Sequence, residues 1–379
     1  MCFHRVTLLV REGRMRVVFR VDASTLMGHG HVMRCLTLAD ELRQQGVLSL
    51  FITRAFSGHL ADQISDRGHD VVLLAFKVSS SCFNFDGHNR WLAVSWEQDA
   101  AETCGAIENE RVDWLVIDHY GIDARWHHVL RKKAAKILVI DDLANRELDC
   151  DLLLDQTHGR LATDYNRQAL EECRKLLGSE YALLRPEFMN RRTEAYAHRR
   201  NAENIKRVLV SLGGADSTST TLIVLEGLLA VSWPDEKVHF DVVLGESAPC
   251  YAKVKQLIEQ SRLSVALISY AEDMADLMLW ADLAVGAGGT TSWERCCLGL
   301  PSLVVELAAN QSLIINGLVE SGAAVSLGRS ANLTSDKVAD CVTTVVDDVA
   351  ALASMSQRCF EITDGNGVRL VANYMLDEA

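Results

Sequence analysis

The stretch Val17-Val18-Phe19-Arg20-Val21-Asp22-Ala23-Ser24, followed by Met27-Gly28-His29-Gly30-His31-Val32, decides the fold. Val17 to Val21 is β-branched or aromatic apart from Arg20, Asp22 to Thr25 breaks the run, and Val32, Leu36, Ala39 and Leu42 then recur at helical spacing. The order is strand, glycine loop, helix. In an α/β sheet that order sets the loop at the carboxyl end of the first strand, where ligands bind. Gly28 and Gly30 let the backbone turn tightly, and His31 opens a helix facing the ligand crevice. The third glycine of the dinucleotide fingerprint is absent, which disfavours a hydride-transfer cofactor. Taken alone, His31 also fits a hydrogen-bonded structural histidine, and His29 an exposed loop residue.

The chain has 379 residues, which suits two domains better than one. With 49% hydrophobic residues and charges of both signs, it reads as globular and not disordered. A net charge of −13 opposes a nucleic-acid groove or an anionic membrane surface. It does not oppose a nucleotide, because a few backbone N–H groups at a helix N-terminus hold a diphosphate whatever the global charge. The eleven cysteines include no C-x-x-C pair, so thiolate metal binding is not expected and a reducing cytoplasm is. The apolar patch Val6 to Val10 is too short for a signal sequence or a span. Met15 reads as the natural start, with residues 1–14 a disordered extension. Apolar runs elsewhere are too short or too charged to cross a bilayer, and a monomer is the default expectation.

Further apolar runs follow at Leu48 to Thr53, Val71 to Phe76, Trp114 to Asp118, Ile137 to Asp141 and Leu152 to Asp155, most separated by helical segments. This is the alternation of a parallel sheet covered by helices. Lys77 to Trp91 looks like an irregular excursion. Asn190 to Lys206 turns polar and basic and marks the domain boundary. A second series runs through Val208 to Leu212, Phe240 to Leu244, Val265 to Ile268, Leu283 to Val285 and Leu303 to Val305. The expected fold is therefore α/β, two tandem Rossmann-like domains at 15–200 and 201–379 with a cleft between them.

Two further turns carry candidate chemistry. Gly286 to Glu294 reads as a glycine loop and a helix start after a strand, so Gly288, Gly289, Thr290 and Thr291 offer backbone N–H groups to an anion, with Thr291 or Ser292 as the cap. Glu294, one turn into the helix, is placed to accept hydrogen bonds from vicinal hydroxyls such as a ribose diol. Gly213 and Gly214, in Ser211 to Asp216, offer a second cradle. Each also fits an ordinary tight turn between strand and helix. In the first half, Asp118-His119-Tyr120-Gly121 ends a buried strand and releases three polar side chains toward His31. A carboxylate beside an imidazole fixes its tautomer and raises its basicity, as a general base acting on water requires.

At these residues the chain resembles the hydrolases that remove UDP from UDP-2,4-diacetamido-2,4,6-trideoxy-β-L-altropyranose on the route to pseudaminic acid. The matching blocks are Arg20 to Ser24 with Gly28 to Cys35, Ile117 to Ile122, Tyr181 to Phe188, and Gly288 to Ser302. The resemblance implies the B-type glycosyltransferase fold, similar to the transferase that passes N-acetylglucosamine from UDP to lipid I. It implies His31 as catalytic histidine, with Asp118 and Tyr120 beside it and Asn310, before Gln311, as an active-site asparagine. Gly28, Gly30, Arg34, Gly213, Gly214, Gln311 and the glycine loop would bind substrate, Glu294 the ribose, and Ile268 to Met274 would wall the uracil. It further implies inverting cleavage of the anomeric C–O bond without a metal or other cofactor. Related chains also occur fused to an acetyltransferase domain, whose activity is not expected here. Two rivals stay open: a glycosyltransferase using the same donor, and a non-catalytic nucleotide-sugar binding module.

Overall fold

A computed structural model describes residues 14–25, 27–76, 91–107, 111–200, 204–213, 216–233 and 237–378. The expected N-terminal extension, most of the Lys77 to Trp91 excursion, and Gly214 lie outside these residues.

The first unit is built on seven parallel strands: β1 (Arg16–Val21), β2 (Leu48–Arg54), β3 (Asp70–Leu74), β4 (Val112–Asp118), β5 (Ala134–Ile140), β6 (Leu152–Asp155) and β7 (Arg174–Leu177). Their spatial order is β3-β2-β1-β4-β5-β6-β7. Succession reverses direction between β1 and β4, and that switch point is where an open α/β sheet leaves a crevice at the carboxyl ends of its strands. Apolar side chains fill both faces: Phe19 stacks on Phe51 at 4.7 Å on one, and Ile52, Leu115 and Val139 pack on the other. Burial on both faces explains the near-continuous apolar runs.

The second unit repeats the plan with six parallel strands: β8 (Arg207–Ser211), β9 (His239–Val243), β10 (Ser264–Ile268), β11 (Leu283–Ala287), β12 (Ser302–Glu306) and β13 (Val325–Arg329). Their order is β10-β9-β8-β11-β12-β13, so the switch point lies between β8 and β11. The fold is thus two Rossmann-like α/β units in tandem.

Their limits differ from those read from composition. The first unit comprises Met1–Gln156, Arg160–Leu183 and Val368–Ala379, and the second Thr157–Gly159 and Leu184–Gly367. The polar basic stretch taken as a boundary lies largely in the helix Pro186–Arg200, inside the second unit. Two of its arginines are used on that unit's own backbone: Arg192 donates to the carbonyls of Cys297, Phe360 and Thr363, and Arg199 to those of Met278, Ala281 and Gly299. Cations are favourable on such helix C-terminal carbonyls. The last helix, Gly367–Asp377, crosses back to the first unit, where Val371, Ala372 and Met375 are buried and Trp114 Nε1 donates to the Met375 carbonyl at 3.0 Å. Helical spacing shows that such a helix needs an apolar partner but not which sheet supplies it. Among the described residues no helix is long and apolar enough to cross a membrane.

Candidate active site

In the first unit the loop after β1 and the end of β4 converge at the switch point. Gly28 takes a φ of +78°, a left-handed conformation that glycine adopts without strain, and its N–H donates to the Ser24 carbonyl at 2.9 Å. The turn delivers the chain into the helix Gly30–Gln44, with His29 exposed at the N-cap and His31 one residue inside. His31 Nδ1 lies 2.7 Å from Asp118 Oδ1. Arg34, one turn on, forks onto the same carboxylate, with Nε 2.6 Å from Oδ2 and Nη2 2.6 Å from Oδ1. Cys35 Sγ approaches Oδ2 at 3.6 Å.

These contacts fix the chemistry of the imidazole. Asp118 is 1% exposed. Burial alone would raise its pKa, but the Arg34 guanidinium and then His31 outweigh it and hold the carboxyl well below the usual range. An ionised carboxylate only accepts, so the 2.7 Å contact favours the proton on Nδ1 and, in the neutral ring, the lone pair on Nε2; Arg34 Nη2 also stands 3.2 Å from Nδ1. The side chain keeps 13% exposure, so that a reactant can reach it. The edge of the ring meets Tyr120 at 4.8 Å, and Trp91 stands 6.2 Å away. Tyr120 Oη donates to Asp142 Oδ1 at 2.5 Å, and burial followed by the Asp142 charge keeps the phenol protonated far above its ordinary pKa. The arrangement is a carboxylate-oriented imidazole, a geometry that general bases use.

Two expectations change here. Arg34, read as a substrate ligand, is 6% exposed and committed to Asp118, with Nη1 3.6 Å from Asp142, so it holds the carboxylate. His119 does not join His31: its Nδ1 accepts from the Gly121 N–H at 3.0 Å and its Nε2 faces Asp22 at 3.4 Å. Burial, the largest effect, lowers the His119 pKa. Asp22 belongs to a buried network in which Arg20 contacts both Asp22 and Asp99, while Arg54 and Trp126 donate to Asp99. That network accounts for Arg20 in an otherwise apolar strand. Asp142 and Trp91 were not singled out by sequence, because each meets the site through a contact distant along the chain.

In the second unit, β11 ends in the glycine loop. A Cβ on Gly288 would stand 2.3 Å from Ile315 Cγ1, so only glycine lets the helix Ser312–Glu320 pack there. The Gly288 N–H donates to the Val305 carbonyl at 3.2 Å and is therefore committed to the fold. Among the described residues no hydrogen bond engages the N–H groups of Gly289, Thr290 and Thr291, which open the helix Thr291–Cys297. Thr290 is its N-cap and makes no side-chain cap, in place of the Thr291 or Ser292 cap expected. Glu294 is half-buried, 3.7 Å from Arg185 Nη2; burial raises its pKa despite that cation. Gln311 Oε1 accepts from the Leu307 N–H at 2.9 Å, and Asn310 is exposed in the adjoining turn Ala309–Gln311.

The second cradle is different from the one expected. Asp216 fills the start of the helix Thr220–Ala230, accepting from the N–H groups of Thr220 at 3.0 Å and Thr221 at 2.7 Å. The helix terminus thus already holds an anion, which leaves the exposed Gly213 as the described part of that cradle. Ile268 ends β10 on the same edge of the sheet, and Met274 begins the helix Met274–Trp280, capped by Asp273.

The comparisons agree with this architecture. A profile for the glycosyltransferase family 28 C-terminal domain matches residues 222–367. The uncharacterized protein MJ1062 of Methanocaldococcus jannaschii is 27% identical over 297 residues, 77% of this chain, which spans 55% of that protein. The spore coat polysaccharide biosynthesis protein SpsG of Bacillus subtilis is 24% identical across 96% of this chain and 98% of its own length. The UDP-2,4-diacetamido-2,4,6-trideoxy-β-L-altropyranose hydrolase of Campylobacter jejuni is 26% identical across 70% of this chain and 81% of its own. Among solved structures, MurG of Acinetobacter baumannii superposes with a TM-score of 0.70 at 14% identity, covering 96% of this chain and 99% of that one. The chain has the B-type glycosyltransferase fold.

Proposed function

We propose that this protein is a hydrolase of a UDP-diacetamido-trideoxyhexose, acting in pseudaminic acid biosynthesis and releasing UDP and the free sugar. The observation that carries the reading is the 2.7 Å contact between His31 Nδ1 and Asp118, which leaves Nε2 as the base. The name and extent of the Campylobacter jejuni relative supply the substrate class. In this scheme the first unit binds the sugar and the second binds UDP. His31 Nε2 takes a proton from water as its oxygen attacks the anomeric carbon, the C–O bond to the diphosphate breaks, and UDP leaves with the electron pair. The proton stays on the imidazolium, held by Asp118, until solvent removes it. Tyr120 packs beside the imidazole, Asn310 is an active-site asparagine of the second unit, Glu294 holds the ribose, Ile268 to Met274 wall the uracil, and the N–H groups of Gly289, Thr290 and Thr291 hold the diphosphate. No step is routed through a metal ion.

Incubation with a panel of UDP-sugars and no acceptor, in ¹⁸O-labelled water, tests the reading. The expected result is free UDP, label in the sugar and an inverted first-formed anomer. Label in the terminal phosphate of UDP would mean attack at phosphorus and overturn it. The family 28 match favours a second reading, a glycosyltransferase with the same donor. Under that reading UDP release depends on an added acceptor hydroxyl.

A further inference from the structure

Beneath the glycine loop lies a buried arginine that the proposed reaction does not use. Arg295 is 2% exposed. Its Nη2 donates to the Ala287 carbonyl at 2.9 Å and Ser292 Oγ at 3.0 Å, and its Nη1 to Thr291 Oγ1 at 3.3 Å. One guanidinium thus joins both flanks of Gly288-Gly289-Thr290, while its Nε has no hydrogen-bond partner. The strand above makes room for it: a Cβ on Gly286 would stand 2.4 Å from Nη1, so this glycine inside β11 is the space the cation occupies.

The charge of this side chain is not ion-paired, although Glu294 acts on it at longer range. No carboxylate among the described residues forms an ion pair with it, and its neighbour Glu294 turns to Arg185. Burial accordingly pulls the Arg295 pKa below the ordinary guanidinium value. Burial lowers the pKa of Arg199 in the same unit too, to about 10, so the two arginines differ in their partners and not in the direction of the shift. Arg199 sits on three backbone carbonyls that supply negative potential. Arg295 instead reaches back to the first turn of its own helix, where the backbone is electropositive. A buried, unpaired cation costs several kcal/mol, and a neutral side chain would join the same hydroxyls and carbonyl without that cost. What a cation adds is positive potential under the free N–H groups of Gly289, Thr290 and Thr291.

We propose that Arg295 is a positioning residue for a diphosphate on this loop, fixing the loop's donors and supplying the positive charge beneath them. The assignment of the diphosphate to UDP rests on the reading above; the anion preference does not. Calorimetric titration of the whole chain with inorganic pyrophosphate, UDP and uridine tests both. Arg295→Met should weaken pyrophosphate and UDP by about tenfold or more, the scale of hydrogen bonds to charged groups, and leave uridine unchanged. Arg295→Lys should recover part of the loss. If Arg295→Met does not fold, Gly286→Ala carries the test, because its methyl displaces the guanidinium while leaving the charge in the chain, and the same selective loss is expected. A folded Arg295→Met variant that binds pyrophosphate as the wild type does, or that loses all three ligands equally, overturns the proposal. Wild-type protein that binds pyrophosphate but not UDP keeps Arg295 in this role and removes the nucleotide reading. Binding of neither by the wild type overturns both.

Discussion

Replacing Asp118 by asparagine isolates the feature on which the proposed chemistry depends. The carboxylate serves three groups at once: two nitrogens of Arg34, each at 2.6 Å, and His31 Nδ1 at 2.7 Å. An asparagine of the same shape has one accepting oxygen and one donating NH2. Both carboxylate oxygens accept from Arg34, so the NH2 meets one of its nitrogens in either orientation; at the Oδ1 position it faces His31 Nδ1 as well, and at the Oδ2 position it faces Arg34 Nε and Cys35. With the NH2 at Oδ1, the orientation this prediction tests, His31 Nδ1 accepts, the ring proton moves to Nε2, and the nitrogen that should take a proton from water already carries one. An aspartate-to-asparagine change that imposes the wrong tautomer in a serine-protease triad lowers turnover about 10⁴-fold, and a loss of about 10³ to 10⁴, or roughly 4 to 5.5 kcal/mol of barrier, is expected here.

The same change weakens the support of a buried guanidinium, whose remaining acid neighbour is Asp142 at 3.6 Å. Breaking a buried pair outright costs about 3–5 kcal/mol, and the retained amide oxygen should keep the loss below that range. Turnover of Asp118→Asn is therefore to be measured as UDP release per folded molecule, with the folded fraction taken from urea denaturation. Nitrogen chemical shifts of His31 report the tautomer directly. A folded variant with turnover within tenfold of wild type, or with the proton still on Nδ1, would refute the reasoning.

Other predictions follow from the same contacts. His31→Asn should cut turnover by roughly 10² to 10⁴ with UDP affinity nearly intact, whereas His29→Asn should matter little; equal effects in rate assays would remove His31 as the base. Glu294→Ala should lose about 1.5 to 3 kcal/mol of UDP affinity, and a 2′-deoxy nucleotide should be penalised less by the variant than by wild type in calorimetry. His127 is buried, accepts from the Asp149 N–H at 3.1 Å, and is held by burial at a pKa of about 3. The unfolded chain therefore takes up a proton near pH 6.5 that the folded chain refuses, so stability should fall as pH drops from about 6.5 toward 3, by up to about 1.4 kcal/mol per pH unit from this residue. Denaturation of His127→Asn at pH 7 and pH 5 should show a smaller difference than wild type, and an unchanged difference would exclude His127 as a source.

Most of both sheets is legible in the chain because central parallel strands are buried on two faces and read as plain apolar runs. The strands that escape notice are β7 and β13, both at sheet edges. Arg174-Lys175-Leu176-Leu177 and Val325-Ser326-Leu327-Gly328-Arg329 are half polar, as suits an edge that is only partly covered. The basic stretch around Arg192 and Arg199 failed as a boundary for a related reason. All its charges looked solvated, but Arg192 and Arg199 lie on helix-end carbonyls about 80 to 170 residues away along the chain.

The candidate site divides along the same line. Residue types at strand ends are local facts, so the Gly28-His29-Gly30-His31 turn, Asp118 and the Gly288 to Glu294 loop could be found from order and spacing alone. The partner of a buried charge is not a local fact. When the partner is invisible, a polar group at a strand end defaults to the ligand, and that default misplaced Arg34 and the Gly288 N–H, each of which the fold itself engages; for the same reason Asp216 went unread as the anion on its own helix start. Subtracting those two narrows the proposed site. The groups the proposed reaction would use are then His31 Nε2, the N–H groups of Gly289, Thr290 and Thr291, and the carboxylate of Glu294. A proton acceptor for water, donors for the leaving diphosphate and an acceptor for a diol are the functions that breaking a sugar–diphosphate bond with water requires.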